Sequence, residues 1–227
     1  MKDWEIVQTS LSGIAKKAER CPKYRFRNLF GMLNERMLRD SWDWMNKKAA
    51  CGVDGESVRD FEKNLDENIR ELVDELKPGR YKARLVRRKN IPKGQGKMRP
   101  LGIPVVRDKL VQQAAKRILQ AIYEQDFMRC SYGYRPNLGA RDAVSKLTVK
   151  LQFGNYHHVV DAGIKGFFDP MDHDWLMRMV EERIDDKPFL RLIKKWLKAR
   201  NPGGRQKKHS EAWQRKPAGW DRVTSAC

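Results

Sequence analysis

The stretch KPGRYKARLVRRKNIPKGQGKMR, Lys77 to Arg99, carries ten Lys or Arg and no acidic residue. Pro78, Gly79, Pro92, Gly94 and Gly96 exclude one continuous helix, since each Pro removes an N–H and each Gly loosens the backbone. The pattern predicts two short strands around a glycine-rich turn, with Tyr81, Leu85 and Ile91 giving the strands apolar contacts. A basic β-ribbon of this kind can follow a phosphate backbone, because every neutralised phosphate releases counterions whatever the base sequence. The competing reading is a solvated basic hairpin with no partner.

On either side the apolar residues recur at helical spacing. Val58, Phe61, Leu65, Ile69, Leu72 and Leu76 form one stripe, which predicts an amphipathic helix over VRDFEKNLDENIRELVDEL. Leu110, Val111, Ala114, Ile118 and Ile122 do the same in DKLVQQAAKRILQAIYEQDF. A further helix is expected from Ala140 to Leu151, after the loop SYGYRPNLG. Another opens at Pro188 and places Phe189, Leu192, Ile193, Trp196 and Leu197 on one side. Between them, Val159 and Val160 lead into a mixed strand and turn.

The whole chain of 227 residues has a net charge of +19, with 48 Lys plus Arg against 29 Asp plus Glu. That balance calls for a polyanionic partner. No run reaches the roughly 18 apolar residues needed to span a bilayer, and MKDWEIVQTS lacks an apolar signal core. The sequence therefore reads as cytoplasmic, with no membrane partner. Cys21, Cys51, Cys130 and Cys227 are scattered and match no zinc spacing, so they read as reduced thiols. His157, His158 and His173 have no zinc-type spacing either. Asp169, Asp172 and Asp174 resemble a metal cluster at first sight. Asp172 immediately before an apolar helical run has a second explanation as its N-cap, with Asp174 favourable in the first turn.

The order and spacing of RFRNLFGMLN, KKAACGVDG, RRKNIPKGQGKMRPLGIPVVRDKLVQQA, SYGYRPNLGARDAV and HHVVDAGIKGFFDPMDHDWL resemble the reverse transcriptases, or maturases, encoded by bacterial group II introns. The resemblance runs from about Ile14 to Ala199. It implies an α+β fold, the fingers of a right-hand polymerase with an incomplete palm, mostly helical with a short basic β-ribbon. It divides the chain into a fingers-like RNA- and nucleotide-binding region at 1–155, the start of a palm at 156–199 and a tail at 200–227.

The resemblance also implies roles. Lys93 and Arg99 match the fingers residues that grip the triphosphate of an incoming deoxynucleotide, a task suited to paired cations. Phe168 matches the aromatic wall beside the sugar 2′ position; core packing is its alternative. Arg84, Arg87, Arg88, Lys89 and Lys97 would lie along template or group II intron RNA, whose A-form backbone is read by shape and phosphate contacts. Mg²⁺ is the cofactor of the family's nucleotidyl transfer, held by palm carboxylates.

Here the pattern breaks. Where the family has Ala-Asp-Ile-Lys-Gly-Phe-Phe-Asp, this chain has Ala162 to Asp169 with Gly163 at the metal-binding aspartate. Asp161 would face the same side of a strand roughly 6 to 7 Å away, too far to substitute directly. The Tyr-Ala-Asp-Asp hairpin is absent from the sequence. No catalytic residue is intact, no metal set is expected, and the expectation is an RNA-binding chain inactive by itself. Two alternatives are a decayed product of a mobile element without function, and an enzyme active only if a palm is completed in trans.

From Arg200 onward helical periodicity stops. Read one base later, codons allowed for Arg200 to Lys207 spell Gly-Ile-Leu-Glu-Glu-Asp-Arg, and those for Pro217 to Ala226 spell Pro-Gln-Gly-Gly-Thr-Val-Ser-Pro-Val. Both match what the family shows next. The expectation is a frameshift near Ala199 and an out-of-frame tail without a fold, which the coding DNA decides.

Overall fold

A computed structural model describes residues 3–92, 98–156, 158–163 and 171–199. The fold is mixed and helix-rich, with one two-stranded antiparallel sheet among the described residues. The helices are α1 (Asp3–Arg20), α2 (Glu35–Asp43), α3 (Val58–Lys63), α4 (Leu65–Leu76), α5 (Val106–Tyr123), α6 (Ala140–Phe153), α7 (His173–Glu181) and α8 (Lys187–Lys198). The strands β1 (Arg87–Pro92) and β2 (Met98–Ile103) lie between α4 and α5.

The α5 stripe makes that helix the axis of the core. Leu110, Val111, Ala114, Ile118 and Ile122 are fully buried, and α1, α2 and α3 all pack against it. Burying a Leu or Ile side chain is worth roughly 1.5–3 kcal/mol each, so this helix holds much of the body together. Gly52 shows how closely the preceding loop approaches: a Cβ there would lie 2.6 Å from the Cα of Val105. Only glycine fits that approach.

The predicted helix over residues 58–76 is two helices. The chain breaks at Asn64 (φ −121°, ψ 38°). Asn68 makes the break tolerable, because its side-chain amide donates to the Phe61 carbonyl at 2.9 Å and satisfies an acceptor the interrupted helix leaves open. Apolar periodicity continues through the break, since Phe61, Ile69, Leu72 and Leu76 are all buried.

Asp172 is an N-cap: its Oδ1 accepts from the N–H of Asp174 at 2.8 Å and of Trp175 at 3.1 Å. Asn34, Ser57 and Asp186 cap α2, α3 and α8 in the same way. In α8 Pro188 occupies the first turn, where a missing N–H costs nothing.

Helices α7 and α8 share the core with the N-terminal third of the chain. Phe26 and Ile184 form an isolated parallel bridge, with Phe26 N–H donating to the Arg183 carbonyl and Asp185 N–H to the Phe26 carbonyl, each at 2.8 Å. Asp186 Oδ2 accepts from Phe30 N–H at 2.9 Å, and Arg27 pairs with Asp185 at 2.6 Å. By contrast, α6 contributes no buried residue. The strand expected around Val159 and Val160 is not formed: residues 158–163 have no regular structure and both valines are exposed. A strand needs neighbouring backbone to satisfy its ladder, and no described segment pairs with this one.

Candidate nucleic-acid interface

The basic stretch forms the expected ribbon, with a register that sorts its charges. Arg87 pairs with Ile103, Lys89 with Leu101 and Ile91 with Arg99; Arg88 pairs with Gly102, Asn90 with Pro100 and Pro92 with Met98. Opposed residues in an antiparallel pair share a face, and alternate residues share it along each strand. Arg87, Lys89 and Arg99 therefore line one face. Arg88 lies on the other, so Arg87, Arg88 and Lys89 do not share one face of the ribbon. Beyond half-buried Arg87 and buried Ile103 the paired residues are solvent-exposed. Among the described residues the ribbon's main contacts are between its own two strands.

The root of the ribbon is a buried polar network. Asp108, in the first turn of α5, is 1% exposed. Its Oδ2 accepts from Arg84 N–H at 2.8 Å and its Oδ1 from the Tyr81 hydroxyl at 2.5 Å. Trp196 Nε1–H donates to the same hydroxyl at 3.1 Å, and Lys195 Nζ donates to the Tyr81 carbonyl, which ties α8 to the ribbon's base. Burial raises the Asp108 carboxyl pKa, against the lowering effect of Tyr81, Arg84 and Arg107. Burial likewise drives the Tyr81 phenol upward, reinforced by the charge of Asp108. Tyr81, expected among the apolar contacts of the strands, precedes them and packs in the core instead. Leu85, expected beside it, also precedes β1 and is exposed.

Arg84 is exposed but precedes β1, outside the paired strands. Its guanidinium lies 3.5 Å from Asp54 and its backbone is fixed by Asp108. Lys93, Lys97, Phe168, Asp169 and His157, and the tail from residue 200, lie outside the described residues. The network Asp108–Tyr81–Trp196 was missed in the sequence. Its signal is an acidic residue in the first turn of an otherwise apolar-striped helix, opposite a tyrosine that the ribbon does not use.

The described aspartates of the palm segment stand in separate roles, and Asp169 is outside the described residues. Gly163 has no ligand atom, and a Cβ added there would meet nothing within 4 Å. Asp161 sits in irregular, exposed chain, Asp172 is committed to capping, and Asp174 lies 3.7 Å from Lys194. Among the described residues no three His, Cys, Asp or Glu side chains gather as a metal site. These residues do not fit a two-Mg²⁺ centre. No helix among the described residues is long and apolar enough to cross a membrane.

The profile of the reverse transcriptase (RNA-dependent DNA polymerase) family matches residues 91–225, a span that includes much of the stretch read above as out of frame. Protein YkfC of Escherichia coli is 39% identical over 153 residues, covering 65% of this chain and 40% of that protein. The group II intron-encoded protein LtrA of Lactococcus lactis is 42% identical over 135 residues, 59% of this chain and 22% of its own length. The putative COX1/OXI3 intron 1 protein of Saccharomyces cerevisiae is 34% identical over 131 residues, 58% of this chain and 16% of that protein. The chain thus spans less than half the length of each of these relatives. With its ribbon, its IPK and SYGYRP segments and these matches taken together, the chain belongs to the reverse transcriptase family, in the group II intron reverse transcriptase and maturase branch.

Proposed function

We propose that this chain is a cytoplasmic RNA-binding component of the group II intron type, gripping structured RNA with one face of its ribbon, and that it does not catalyse DNA synthesis by itself. The observation that carries the reading is the shared face of Arg87, Lys89 and Arg99 on an exposed ribbon whose root is fixed by Asp108. Arg87 and Lys89 stand roughly 6–7 Å apart along β1, with Arg99 diagonally across on β2, a row of cations that can meet successive phosphates, and rigid attachment reduces the entropy lost on binding.

Replacing Arg87, Lys89 and Arg99 together by Ala is expected to weaken binding of structured intron RNA about 30-fold and to lower the salt slope by about three, one per phosphate contact. Arg88→Ala, on the opposite face, should change affinity by less than about threefold. Filter binding across a salt series measures both, and equal effects of the two variants would reject the face assignment.

Within the same proposal Lys93 and Arg99 are the contacts for a nucleotide triphosphate, Phe168 is the sugar-side wall, and residues 1–155 and 156–199 are the fingers-like region and the start of a palm. Polymerase-like arrangement is supported here by family membership together with the ribbon. The inactivity rests on Gly163, which removes a carboxylate that two-metal phosphoryl transfer requires. Primed template incubated with the chain, Mg²⁺ and deoxynucleotides should show no extension above a heat-killed control; extension would overturn the inactive reading.

A further inference from the structure

A groove of about 520 Å³ lies on the far half of α5, between α1, the end of α2 and the loop through Pro136. Its lining starts at Gln113, so it begins about 10 Å along the helix from the end where the ribbon is rooted. Two aromatic side chains that the fold does not bury line it: Trp44 is 70% exposed and Tyr134 is 99% exposed. Tyr134 also holds a left-handed backbone, φ 59°, which a bulky residue adopts only under constraint.

The constraint is visible. Arg135 donates to Glu124 Oε1 through Nε at 2.9 Å and Nη2 at 2.6 Å, and to the carbonyls of Met128 and Ser131 through Nη1. That clamp fastens the loop to the end of α5 and leaves the neighbouring Tyr134 ring held out in solvent. On the other side, the Arg117 guanidinium lies 5.7 Å from the Trp44 ring centre and is fixed by a bond from Nη1 to Ser41 Oγ at 3.2 Å. Lys116 is exposed beside it. The groove contains one acid, Glu124, whose Oε1 is offset by Arg135 and whose Oε2 is buried without a hydrogen-bond partner among the described residues.

We infer that this groove is a second RNA site, which takes unpaired nucleotides by stacking their bases on Trp44 and Tyr134 while Lys116 and Arg117 meet the phosphates. Exposed aromatics with interleaved cations form the surface on which single strands bind, because each base has a π face whatever its identity. Glu124 Oε2, which has no accessible surface, is no contact for the ligand. A duplex keeps its bases stacked on one another, so the groove discriminates by strandedness where the ribbon does not. The ligand class, RNA, rests on the reading of the ribbon; the groove's own geometry specifies that the nucleotides are unpaired.

The test uses the full chain with a fluorescein-labelled 12-nucleotide oligouridylate and a 12-base-pair RNA duplex, followed by anisotropy. Trp44→Ala with Tyr134→Ala is expected to weaken oligouridylate binding about tenfold and duplex binding by less than twofold. Trp44→Phe with Tyr134→Phe keeps both π faces and should bind oligouridylate like the parent. Unchanged oligouridylate affinity in the Ala variant, or equal losses for both RNAs, overturns the groove. The triple ribbon variant should weaken both RNAs alike. If it weakens neither while the Ala pair loses oligouridylate selectively, the groove stands and the ribbon reading falls.

Discussion

Arg183→Met is expected to destabilise the chain by about 4 kcal/mol, read as a fall in urea midpoint at unchanged slope. Arg183 is 6% exposed and reaches back across the chain to the C-terminal end of α1. Its Nη2 donates to the Ala18 carbonyl at 3.2 Å, and its Nη1 donates to the carbonyls of Cys21, Pro22 and Tyr24. Its Nε lies 2.9 Å from Asp126 Oδ2, an ion pair without the alignment of a hydrogen bond. The guanidinium thus sits where the negative end of a helix dipole and several unmatched carbonyls converge, and where the turn after α5 supplies the Asp126 carboxylate. Met fills the volume but donates nothing, so buried acceptors lose their partner at roughly 1–3 kcal/mol each, part of which water recovers. Asp126→Asn should cost only about 1 kcal/mol, because that side chain is 30% exposed and can rehydrate. A loss below 1 kcal/mol for Arg183→Met would show that the α1 carbonyls are already hydrated.

That seam explains much of what was not legible in the sequence. Helices α5 and α8 could be read directly, because their apolar residues follow the 3.6-residue period and those faces are buried. The ribbon could be read because Pro and Gly punctuate it, and Asp172 could be assigned as a cap because a polar acceptor precedes an apolar run. The break at Asn64 left no trace, since the apolar stripe crosses it intact. Nor could the contacts of Arg183 with the end of α1 be foreseen, for they join residues 165 apart and nothing local encodes them. Tyr81 was misplaced because an aromatic beside basic residues has the same composition whether it lies in a strand or fills a core.

The candidate site shows the same division. Sequence alone located the basic cluster, but charge counting treated Arg87, Arg88 and Lys89 as neighbours, and only the register separates Arg88 from the other two. Arg84 has the same charge as its ribbon neighbours, but its backbone N–H bond to Asp108 and its ion pair with Asp54 are not legible from charge alone. Gly163 could be recognised from sequence because a missing carboxylate is a change of residue type, which needs no coordinates. The aromatic groove could not, since Trp44 and Tyr134 are 90 residues apart and either alone reads as ordinary packing.

Asp108→Ala is expected to cost about 3 kcal/mol and, with it, part of the RNA affinity. The substitution leaves the Arg84 N–H and the Tyr81 hydroxyl without their acceptor, each buried group costing roughly 1–3 kcal/mol. Trp196 still donates to Tyr81, so that end of the network keeps one bond. The pH dependence has a definite sign. Burial raises the folded-state pKa of Asp108 above its unfolded value near 3.8, so the native state holds the proton more tightly. Its stabilising contribution is fully present below the unfolded pKa and falls as pH rises through the raised folded one. The stability gap between the parent and Asp108→Ala should therefore be wider at pH 4 than at pH 7; urea melts at both measure it, and a gap that widens toward pH 7 would contradict a raised pKa. Asp108→Asn titrates nowhere in this range, so its difference from Asp108→Ala should be constant with pH. Arg84 leads directly into β1, so loss of its backbone anchor loosens the ribbon while Arg87, Lys89 and Arg99 remain in place. RNA affinity should then fall about threefold to tenfold with the salt slope unchanged, because the same phosphates are met by a less ordered surface.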